Sequence, residues 1–414
     1  MTMNAKRRRV HDKLAALPGV RAVRRPIGPE GDQEFDLFYV RAGRKSAHPV
    51  VIIPGGPGAA SIALYRGFRR RAAAEGLDVI MVEHRGVGMS RHDDTGADLP
   101  PEALSIGQVV DDVVAVLDDA QVEKAVIYGT SYGTYVAAGV GVRHPHRVRA
   151  MILDSPVLSA QDIDTVREAT RSLLWDGNSP ETADLAAKVR KLADEDLLSP
   201  HATQLAAAVY GFGGPALLRR ELDLLLGGRR ALWSALDRGA RFLFERKAPY
   251  RHEPDLVGRI GYRELNYAAV PDGKPLDPAA AFRELATETT EFEAEPFDLG
   301  TEMPNFSWPA VIISGGRDLI TPPAVASRVA SLIPGAVLVN LATAGHSAID
   351  FRERAALDII KATCDGVTSD LPARANSLDA APSGLGVRIL IWSIAAAAVV
   401  EKAVPRTVHR VTAS

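Results

Sequence analysis

The sequence has little cysteine and little net charge, and each shortage excludes a class of protein. A single cysteine, Cys364, occurs among 414 residues, so no intrachain disulfide can form and we expect a reducing, cytoplasmic compartment. The formal net charge is −2 at pH 7, which gives no indication of a nucleic-acid partner. The first residues are basic and then mixed polar, without the apolar core of a secretory signal peptide.

The sequence also lacks an apolar run long enough to cross a bilayer. The stretch from Val387 to Val400 contains Arg388 and is shorter than the ~20 residues that a membrane-spanning helix needs. We expect a terminal helix packed against the protein, with a weak interfacial anchor as the alternative, and no stable membrane insertion. Two basic runs, residues 6–9 and 69–71, are expected to be solvated helix faces.

Most of the chain alternates between apolar strands and helices. Val/Ile-rich segments predict strands near 34–41, 49–54, 78–83, 124–128, 148–153, 309–314 and 336–341. Helical patterns predict helices near 59–74, 105–120, 132–143, 323–332 and 350–363. Continuous apolar strands separated by helices indicate an α/β fold, with a mostly parallel sheet covered by helices on both faces. Functional residues of such sheets lie at the carboxyl ends of the strands.

The alternation stops between residues 157 and 303, where Leu, Ala, Arg and Glu recur at helical spacing. We interpret this stretch, called the cap segment below, as a helical insertion that folds over the strand ends. Residues 1–156 and 304–363 are then two parts of one core, and residues 364–414 are a linker and a C-terminal helical extension. The glycines of Gly211-Phe212-Gly213-Gly214 are interpreted as a helix connection rather than a phosphate loop.

A G-x-S-x-G sequence, Gly129 to Gly133, stands between a predicted strand and a predicted helix. In this context the pattern indicates a nucleophile elbow, in which a strained turn projects the serine hydroxyl above the sheet. Glycines are needed on both sides because a side chain there would collide with the neighbouring strand or helix. Ser131 is therefore the candidate nucleophile.

Candidate partners of Ser131 follow in the chain order typical of α/β hydrolases. Asp318 comes after the strand near 309–314, and His346 comes after the strand near 336–341. His346 would accept the Ser131 proton, and Asp318 would hold the imidazole in the required tautomer. Asp154, after the strand that follows the elbow, is an alternative acid, and Asp318 is preferred because its longer loop leads into a helix.

A glycine-rich loop, Pro54-Gly55-Gly56-Pro57-Gly58, precedes the helix that follows the strand near 49–54. Such a loop exposes backbone N–H groups that could stabilise the oxyanion formed in acyl transfer. We assign the two donors to the amides of Gly56 and Tyr132, with Gly55 as the nearest competitor for the first position.

No cofactor or metal is expected from the motifs. His144 and His146 form an H-x-H pair, but arginines flank it and no acidic or cysteine partner is adjacent. We interpret the pair as part of a surface turn.

Four motifs resemble the proline iminopeptidase and tripeptidyl aminopeptidase group of α/β hydrolases: Pro54 to Gly58, His84-Arg85-Gly86-Val87-Gly88-Met89-Ser90, Gly129 to Gly133, and Gly345-His346. The resemblance covers roughly residues 35–362 and implies an α/β-hydrolase fold with a helical cap and a triad of Ser131, Asp318 and His346. It also implies that a cap carboxylate holds the α-ammonium group of the substrate, and Glu264 is the candidate. Two positions depart from the group: Pro54 replaces its usual histidine, and Glu83 replaces its usual aspartate.

The leading hypothesis is a serine aminopeptidase that releases N-terminal residues from short peptides through an acyl-enzyme. An esterase, lactonase or amidase acting on a non-peptide small molecule is the first alternative. A catalytically silent binding module on the same fold is the second, because a fold does not dictate a function.

Overall fold

The central feature of the computed structural model is one twisted sheet. The structure describes residues 3–28, 33–195, 197, 199–244, 248–286 and 291–404. The eight strands of this sheet, numbered in chain order, are β1 (Val20–Pro26), β2 (Glu34–Ala42), β3 (Val50–Ile53), β4 (Val79–Val82), β5 (Ala125–Thr130), β6 (Val148–Asp154), β7 (Ala310–Gly315) and β8 (Val337–Leu341). Their spatial order is β1-β2-β4-β3-β5-β6-β7-β8. β1 and β2 pair antiparallel with their neighbours, and β3 to β8 run parallel.

The parallel strands are buried because helices cover both faces of the sheet. Every residue of β3, β4, β5 and β7 is buried, as expected for Val/Ile-rich strands with two covered faces. Successive side chains point to opposite faces. In β3, Val51 and Ile53 therefore join one apolar cluster, whereas Val50 and Ile52 join the other.

Seventeen α-helices lie within the described residues. They are α1 (Ala5–Ala15), α2 (Ser61–Leu64), α3 (Arg66–Ala74), α4 (Ile106–Asp119), α5 (Tyr132–Arg143), α6 (Asp162–Arg171), α7 (Ala183–Asp194), α8 (Pro200–Leu226), α9 (Ala231–Phe244), α10 (Pro254–Leu265), α11 (Pro278–Leu285), α12 (Leu299–Glu302), α13 (Pro323–Leu332), α14 (Ala348–Phe351), α15 (Glu353–Cys364), α16 (Ala375–Asp379) and α17 (Leu385–Ala403). Helices α6 to α12 occupy the predicted cap segment, and a third apolar cluster lies mainly within it. The domain boundaries themselves stay a prediction.

The cap segment contacts the loops at the carboxyl ends of the strands through glycine backbones. A side chain at Gly345 would collide with the backbone of Gly211, which lies in α8. At Gly58 an added Cβ would come within 3.0 Å of the Cα of Pro254. The cap segment thus touches both the loop after β8 and the loop after β3. Gly211 thus packs against the core. The sequence-based interpretation of residues 211–214 as a helix connection did not include this contact.

The predicted fold class is confirmed, and three local predictions were wrong or incomplete. The sequence reading missed β1, and the helix near 59–74 is divided at Tyr65. The basic runs are not wholly solvated, since Arg7 is 8% exposed and Arg69 is 4% exposed. Arg69 points inward because its guanidinium donates to the carbonyl oxygens of Ser61 and Ile62, near the end of the glycine-rich loop.

The burial of Arg7 ties the N-terminal helix to the cap segment. Its guanidinium donates to both oxygens of the Glu253 carboxylate, at 2.5 and 2.9 Å, and to the carbonyl oxygen of Gly88. The same group lies 4.7 Å from the ring centroid of Tyr250. Glu253 is fully buried, and its carboxylate also accepts the Gly88 amide at 2.7 Å and lies 3.8 Å from Arg91.

The apolar stretch near the C-terminus forms α17. Ile394 and Ala398 are buried on the side that packs against the cap segment, and the opposite side is exposed. The expectation of a packed terminal helix is therefore met on one face only. Of the residues described here, none forms a helix that could cross a bilayer. Residues 405–414 of the predicted extension lie outside the described residues.

A buried ion pair makes a stability prediction possible. Arg85 and Asp112 are each 1% exposed and form two hydrogen bonds, of 2.6 and 2.7 Å. Replacing Asp112→Ala leaves the guanidinium buried without its counter-charge, which should lower the free energy of unfolding by about 3–5 kcal/mol. The adjacent Asp111→Ala removes only exposed contacts to Arg143 and His144 and should cost about 0–1 kcal/mol. Urea unfolding midpoints compare the two variants, and equal midpoints would contradict the prediction.

Candidate active site

Ser131 lies in a strained turn between β5 and α5. Its backbone has φ 52° and ψ −127°, outside the regions that residues with a side chain ordinarily occupy. The turn needs glycine on both sides, since a Cβ at Gly129 would collide with the Gly133 carbonyl and one at Gly133 with the Ile53 carbonyl. The Ser131 amide donates to the carbonyl oxygen of Asp154 at 2.9 Å. This geometry leaves the Ser131 side chain partly exposed, as a nucleophile requires.

Asp318 and His346 are in direct contact. The Nδ1 atom of His346 lies 2.9 Å from Oδ2 of Asp318, and the aspartate is fully enclosed while the imidazole is 19% exposed. The other Asp318 oxygen accepts the amides of Ile320 and Thr321, and Thr321 Oγ1 donates to Oδ2. These hydrogen bonds fix the carboxylate, so Nδ1 of His346 is the protonated nitrogen and Nε2 is free to act as a base.

Each member of this pair shifts the pKa of the other in favour of its charged form. Burial opposes ionisation of Asp318, but the charge of His346 and the hydrogen bonds to the carboxylate hold its pKa below the ordinary value. Burial likewise opposes protonation of His346, yet the Asp318 carboxylate raises the pKa of the imidazole above 6.5. The pair thus stabilises the protonated imidazole that forms when His346 accepts a proton.

The loop that carries His346 is bonded to the strand ends beside Ser131. Thr130 Oγ1 donates to Ser347 Oγ at 3.0 Å, and the Ser347 amide donates to Ser155 Oγ at 2.9 Å. Ser347 has φ 64° and its partner Ser155 has φ 55°, so both have strained backbones like that of Ser131. The structure therefore brings the loop of His346 to the elbow of Ser131.

Asp154, the alternative acid, has a different set of partners. Its carboxylate accepts the amides of Ala348 and Ile349, at 2.9 and 3.1 Å, and the hydroxyl of Tyr128 at 2.7 Å. It thus caps the helix after His346 and orders that loop. The contact with His346 Nδ1 is made by Asp318.

The glycine-rich loop lies against Ser131, the candidate nucleophile. An added Cβ on Gly55 would be 3.1 Å from the Ser131 Cβ and 3.7 Å from its Oγ. Among the described residues, no protein group accepts a hydrogen bond from the amides of Gly56 or Tyr132, the two predicted oxyanion donors. Gly55, the competitor, is the loop residue in contact with Ser131. The assignment of Gly56 and Tyr132 stays a prediction.

Glu83 orders the start of α2, after the glycine-rich loop, through contacts that the sequence motifs did not predict. Its carboxylate is fully buried and accepts the amides of Ser61 and Ile62, at the start of α2, and of Met89. Burial raises the pKa of Glu83 to about 7, against the effect of these amide hydrogen bonds. The carboxylate joins the loop after β3 to the loop after β4.

His84 and Tyr132 form a further contact that the motifs did not predict. His84 Nδ1 donates to the carbonyl oxygen of Arg85, so Nε2 accepts the Tyr132 hydroxyl at 3.0 Å. Burial lowers the pKa of His84 to about 4, and the ring is therefore neutral. His84 also lines a small pocket with Gly55 and Gly58. The sequence signals for His84 were its place in the motif His84 to Ser90 and its position just after a buried strand.

Glu264, the candidate ammonium ligand, is 6% exposed. Its Oε2 accepts the Ile106 amide at 2.9 Å, where α4 begins. Its Oε1 makes no hydrogen bond and lies 3.8 Å from Nη2 of Arg263. Burial raises the pKa of Glu264, and burial together with the charge of Glu264 raises the pKa of Tyr132. Glu264 therefore lies inside the protein, with one oxygen that makes no hydrogen bond.

An acid, Asp111, contacts the predicted H-x-H surface turn. His144 Nε2 lies 3.0 Å from Asp111, and the rings of His144 and His146 are 6.2 Å apart. Within the described part of the chain, no group of three or more His, Cys, Asp or Glu side chains could hold a metal ion.

These features define the class of the protein. Residues 48–204 match the profile of the alpha/beta hydrolase fold, and the helix-covered sheet with Ser131 after β5 agrees with it. The chain has the α/β-hydrolase fold. A solved structure, Rv0554 from Mycobacterium tuberculosis, has the same fold, with a TM-score of 0.50 and 18% identity over 84% of this chain and all of that one.

Two curated relatives are similar to this chain over segments of 121 and 134 residues. The proline iminopeptidase of Neisseria meningitidis is 26% identical over 121 residues, which are 28% of this chain and 35% of that protein. The 2-hydroxymuconate semialdehyde hydrolase of Pseudomonas sp. strain CF600 is 31% identical over 134 residues, 30% of this chain and 44% of that protein. The resemblance to proline iminopeptidases is confirmed at this level. The matched segments span less than half of either relative.

The His346–Asp318 pair predicts the pH dependence of Ser131 reactivity. The neutral imidazole is the base, and the folded-state pKa is raised, so reactivity should be lost as pH falls through a midpoint above 6.5. The rate of labelling by a fluorophosphonate measures this midpoint, with circular dichroism at each pH as the control for folding. In Asp318→Asn, the NMR titration of His346 should move to lower pH. A labelling midpoint at or below 6.5 would contradict the prediction.

The contact between Gly55 and Ser131 predicts a second effect. Gly55→Ala places a methyl group against the nucleophile and should lower the labelling rate on the order of tenfold to a hundredfold through misplacement of the reacting groups. Gly239→Ala is the matched control, because a Cβ at this position of α9 meets nothing within 4 Å. Equal labelling rates in the two folded variants would show that the Gly55 backbone is not part of the reacting site.

Proposed function

We propose that the chain is a serine hydrolase in which Ser131, His346 and Asp318 act as a triad. The observation that carries the proposal is the 2.9 Å contact of His346 with Asp318, in a loop bonded to the strained turn of Ser131. A serine hydroxyl is too weak a nucleophile at neutral pH without such a base.

The proposed reaction proceeds through an acyl-enzyme. Ser131 Oγ attacks the acyl carbon as its proton moves to His346 Nε2, and Asp318 stabilises the imidazolium. The carbonyl electron pair becomes an oxyanion held by the amides of Tyr132 and of the glycine-rich loop. The intermediate collapses, and the leaving group takes the proton from His346. Water then attacks the acyl-enzyme with His346 again as the base, which releases the acid and regenerates Ser131.

For the substrate we propose short peptides with a free N-terminus, so that the enzyme is an aminopeptidase. Sequence similarity to proline iminopeptidases supports this choice. The Oε1 atom of Glu264 also supports it, since this buried oxygen makes no hydrogen bond, with Arg263 Nη2 3.8 Å away, and could accept an ammonium group. The ammonium would offset the cost of keeping this carboxylate charged away from water.

An ester or another non-peptide acyl compound is the second candidate. The other Glu264 oxygen already accepts the Ile106 amide, which gives this residue a structural role that needs no substrate. The similarity to a 2-hydroxymuconate semialdehyde hydrolase is of the same order as that to the iminopeptidases.

One set of assays tests the proposal in two stages. A fluorophosphonate should label the folded protein on Ser131, and Ser131→Ala should lower turnover on the order of 10⁶-fold. Ser331→Ala, an exposed helix position, should leave turnover unchanged. Absence of label on Ser131 in the folded protein would favour a catalytically silent module and overturn the proposal.

The second stage compares substrates. Aminoacyl-naphthylamides, including the prolyl compound, should be cleaved, and N-acetylated versions should not, because acetylation removes the ammonium charge. Turnover of p-nitrophenyl esters without aminoacyl cleavage would reject the aminopeptidase and leave the serine hydrolase in place.

A further inference from the structure

Helix α17 is apolar on two opposite faces. On one face, Ile394 and Ala398 are 5% and 0% exposed and pack towards the cap segment. Arg229, between α8 and α9, donates to the carbonyl oxygens of Glu401 and Lys402 and holds the end of the helix there. A helix that is apolar all round is ordinarily buried all round.

The second apolar face has no protein cover among the described residues. Fourteen large hydrophobic side chains are exposed among all the described residues. Seven of them lie between residues 385 and 404, namely Leu385, Ile389, Leu390, Trp392, Val399, Val400 and Val404. Leu385, Ile389, Trp392 and Val399 follow helical spacing and form one stripe, opposite Ile394 and Ala398. Trp392 is 62% exposed. A concentration of exposed apolar side chains of this kind indicates an interaction site.

The charges on this helix have one sign where it faces solvent. Arg388 and Lys402 are exposed on one side of the stripe, and the Arg388 guanidinium carbon lies 5.2 Å from the ring centroid of Trp392. The single acid of the helix, Glu401, is turned to the cap segment, where it accepts the amides of Ala231 and Leu232 at 2.8 Å. The solvent side of α17 is therefore apolar and cationic without an acid.

We propose that α17 docks on the surface of an anionic lipid bilayer. The helix lies in the plane of the interface, with its apolar stripe among the upper acyl chains and with Arg388 and Lys402 at the phosphates. Trp392 occupies the headgroup region, where its amphipathic ring is favoured. The helix is roughly 28 Å long but carries charges within it, so it rests on the bilayer rather than crossing it.

The charge pattern favours lipid over a second copy of the chain. Two copies joined through this stripe would bring four cations together with no acid on either exposed face. An anionic bilayer instead supplies counter-charge to both Arg388 and Lys402. The proposal does not depend on the chemistry at Ser131, because no residue of the triad lies on α17.

Flotation of the full-length protein with vesicles tests the proposal. The protein should float with phosphatidylcholine vesicles that contain phosphatidylglycerol, bind pure phosphatidylcholine much less, and dissociate as salt is raised. Ile389→Ser with Trp392→Ser should weaken binding at least about tenfold through lost apolar burial. Arg388→Glu with Lys402→Glu should weaken it at least about tenfold through charge reversal.

Matched controls lie elsewhere on the surface. Val270→Ser, at a site that is 73% exposed in the cap segment, and Arg70→Glu, exposed on α3, should bind as the unmodified protein does. Each variant is first shown to keep its circular dichroism and thermal midpoint. The fluorescence of Trp392 should shift to shorter wavelength on binding, and this shift should be absent in Trp392→Phe.

Three results would overturn the proposal. The first is undiminished binding by the Ile389→Ser, Trp392→Ser variant, and the second is equal, salt-independent binding to neutral and anionic vesicles. The third is a concentration-dependent dimer in sedimentation that the same variant abolishes, without vesicle binding, which would assign the face to a second copy.

Discussion

The close approach of α5 to β3 is the constraint on which the site depends. Gly133 lies so near the Ile53 carbonyl that no side chain fits between them, and Gly129 is equally close to the backbone of the next turn. The approach forces Ser131 into its strained conformation and places it beside Gly55, the residue that follows Pro54 after β3. Ser131 and the glycine-rich loop are thus brought together by backbone packing.

Buried carboxylates then order the loops at this edge of the sheet. Glu83, Asp154 and Asp318 each accept at least two backbone amides from a loop that follows a parallel strand. Such hydrogen bonds to a charged acceptor are stronger than those between neutral groups, and they satisfy amides that would otherwise be buried without a partner. Asp154 and Asp318 differ in one respect. Both oxygens of Asp154 are used by a helix start and a tyrosine, whereas one oxygen of Asp318 also meets an imidazole.

The parts of the molecule that sequence could predict are those with a local signal. The buried strands and helix α5 follow from apolar runs and from the glycines around Ser131. β1 was missed because its solvent-facing positions are arginines, which resemble a polar loop rather than an edge strand. The burial of Arg7 could not be predicted, because its partner Glu253 is 246 residues away in the chain. The same limit applies to Glu264, whose amide partner Ile106 belongs to another helix.

The cap segment is attached to the core at two loops that belong to the candidate site. On one side Gly211 meets Gly345, next to His346, and on the other Pro254 meets Gly58, in the glycine-rich loop. Both are backbone contacts that leave no room for a side chain, so the cap segment cannot shift far at either without moving a loop of the site. Glu264 lies on α10, the helix that begins at Pro254, and its position is fixed by the same attachment. The position of Glu264 therefore depends on where the cap segment is anchored as much as on the helix that carries it.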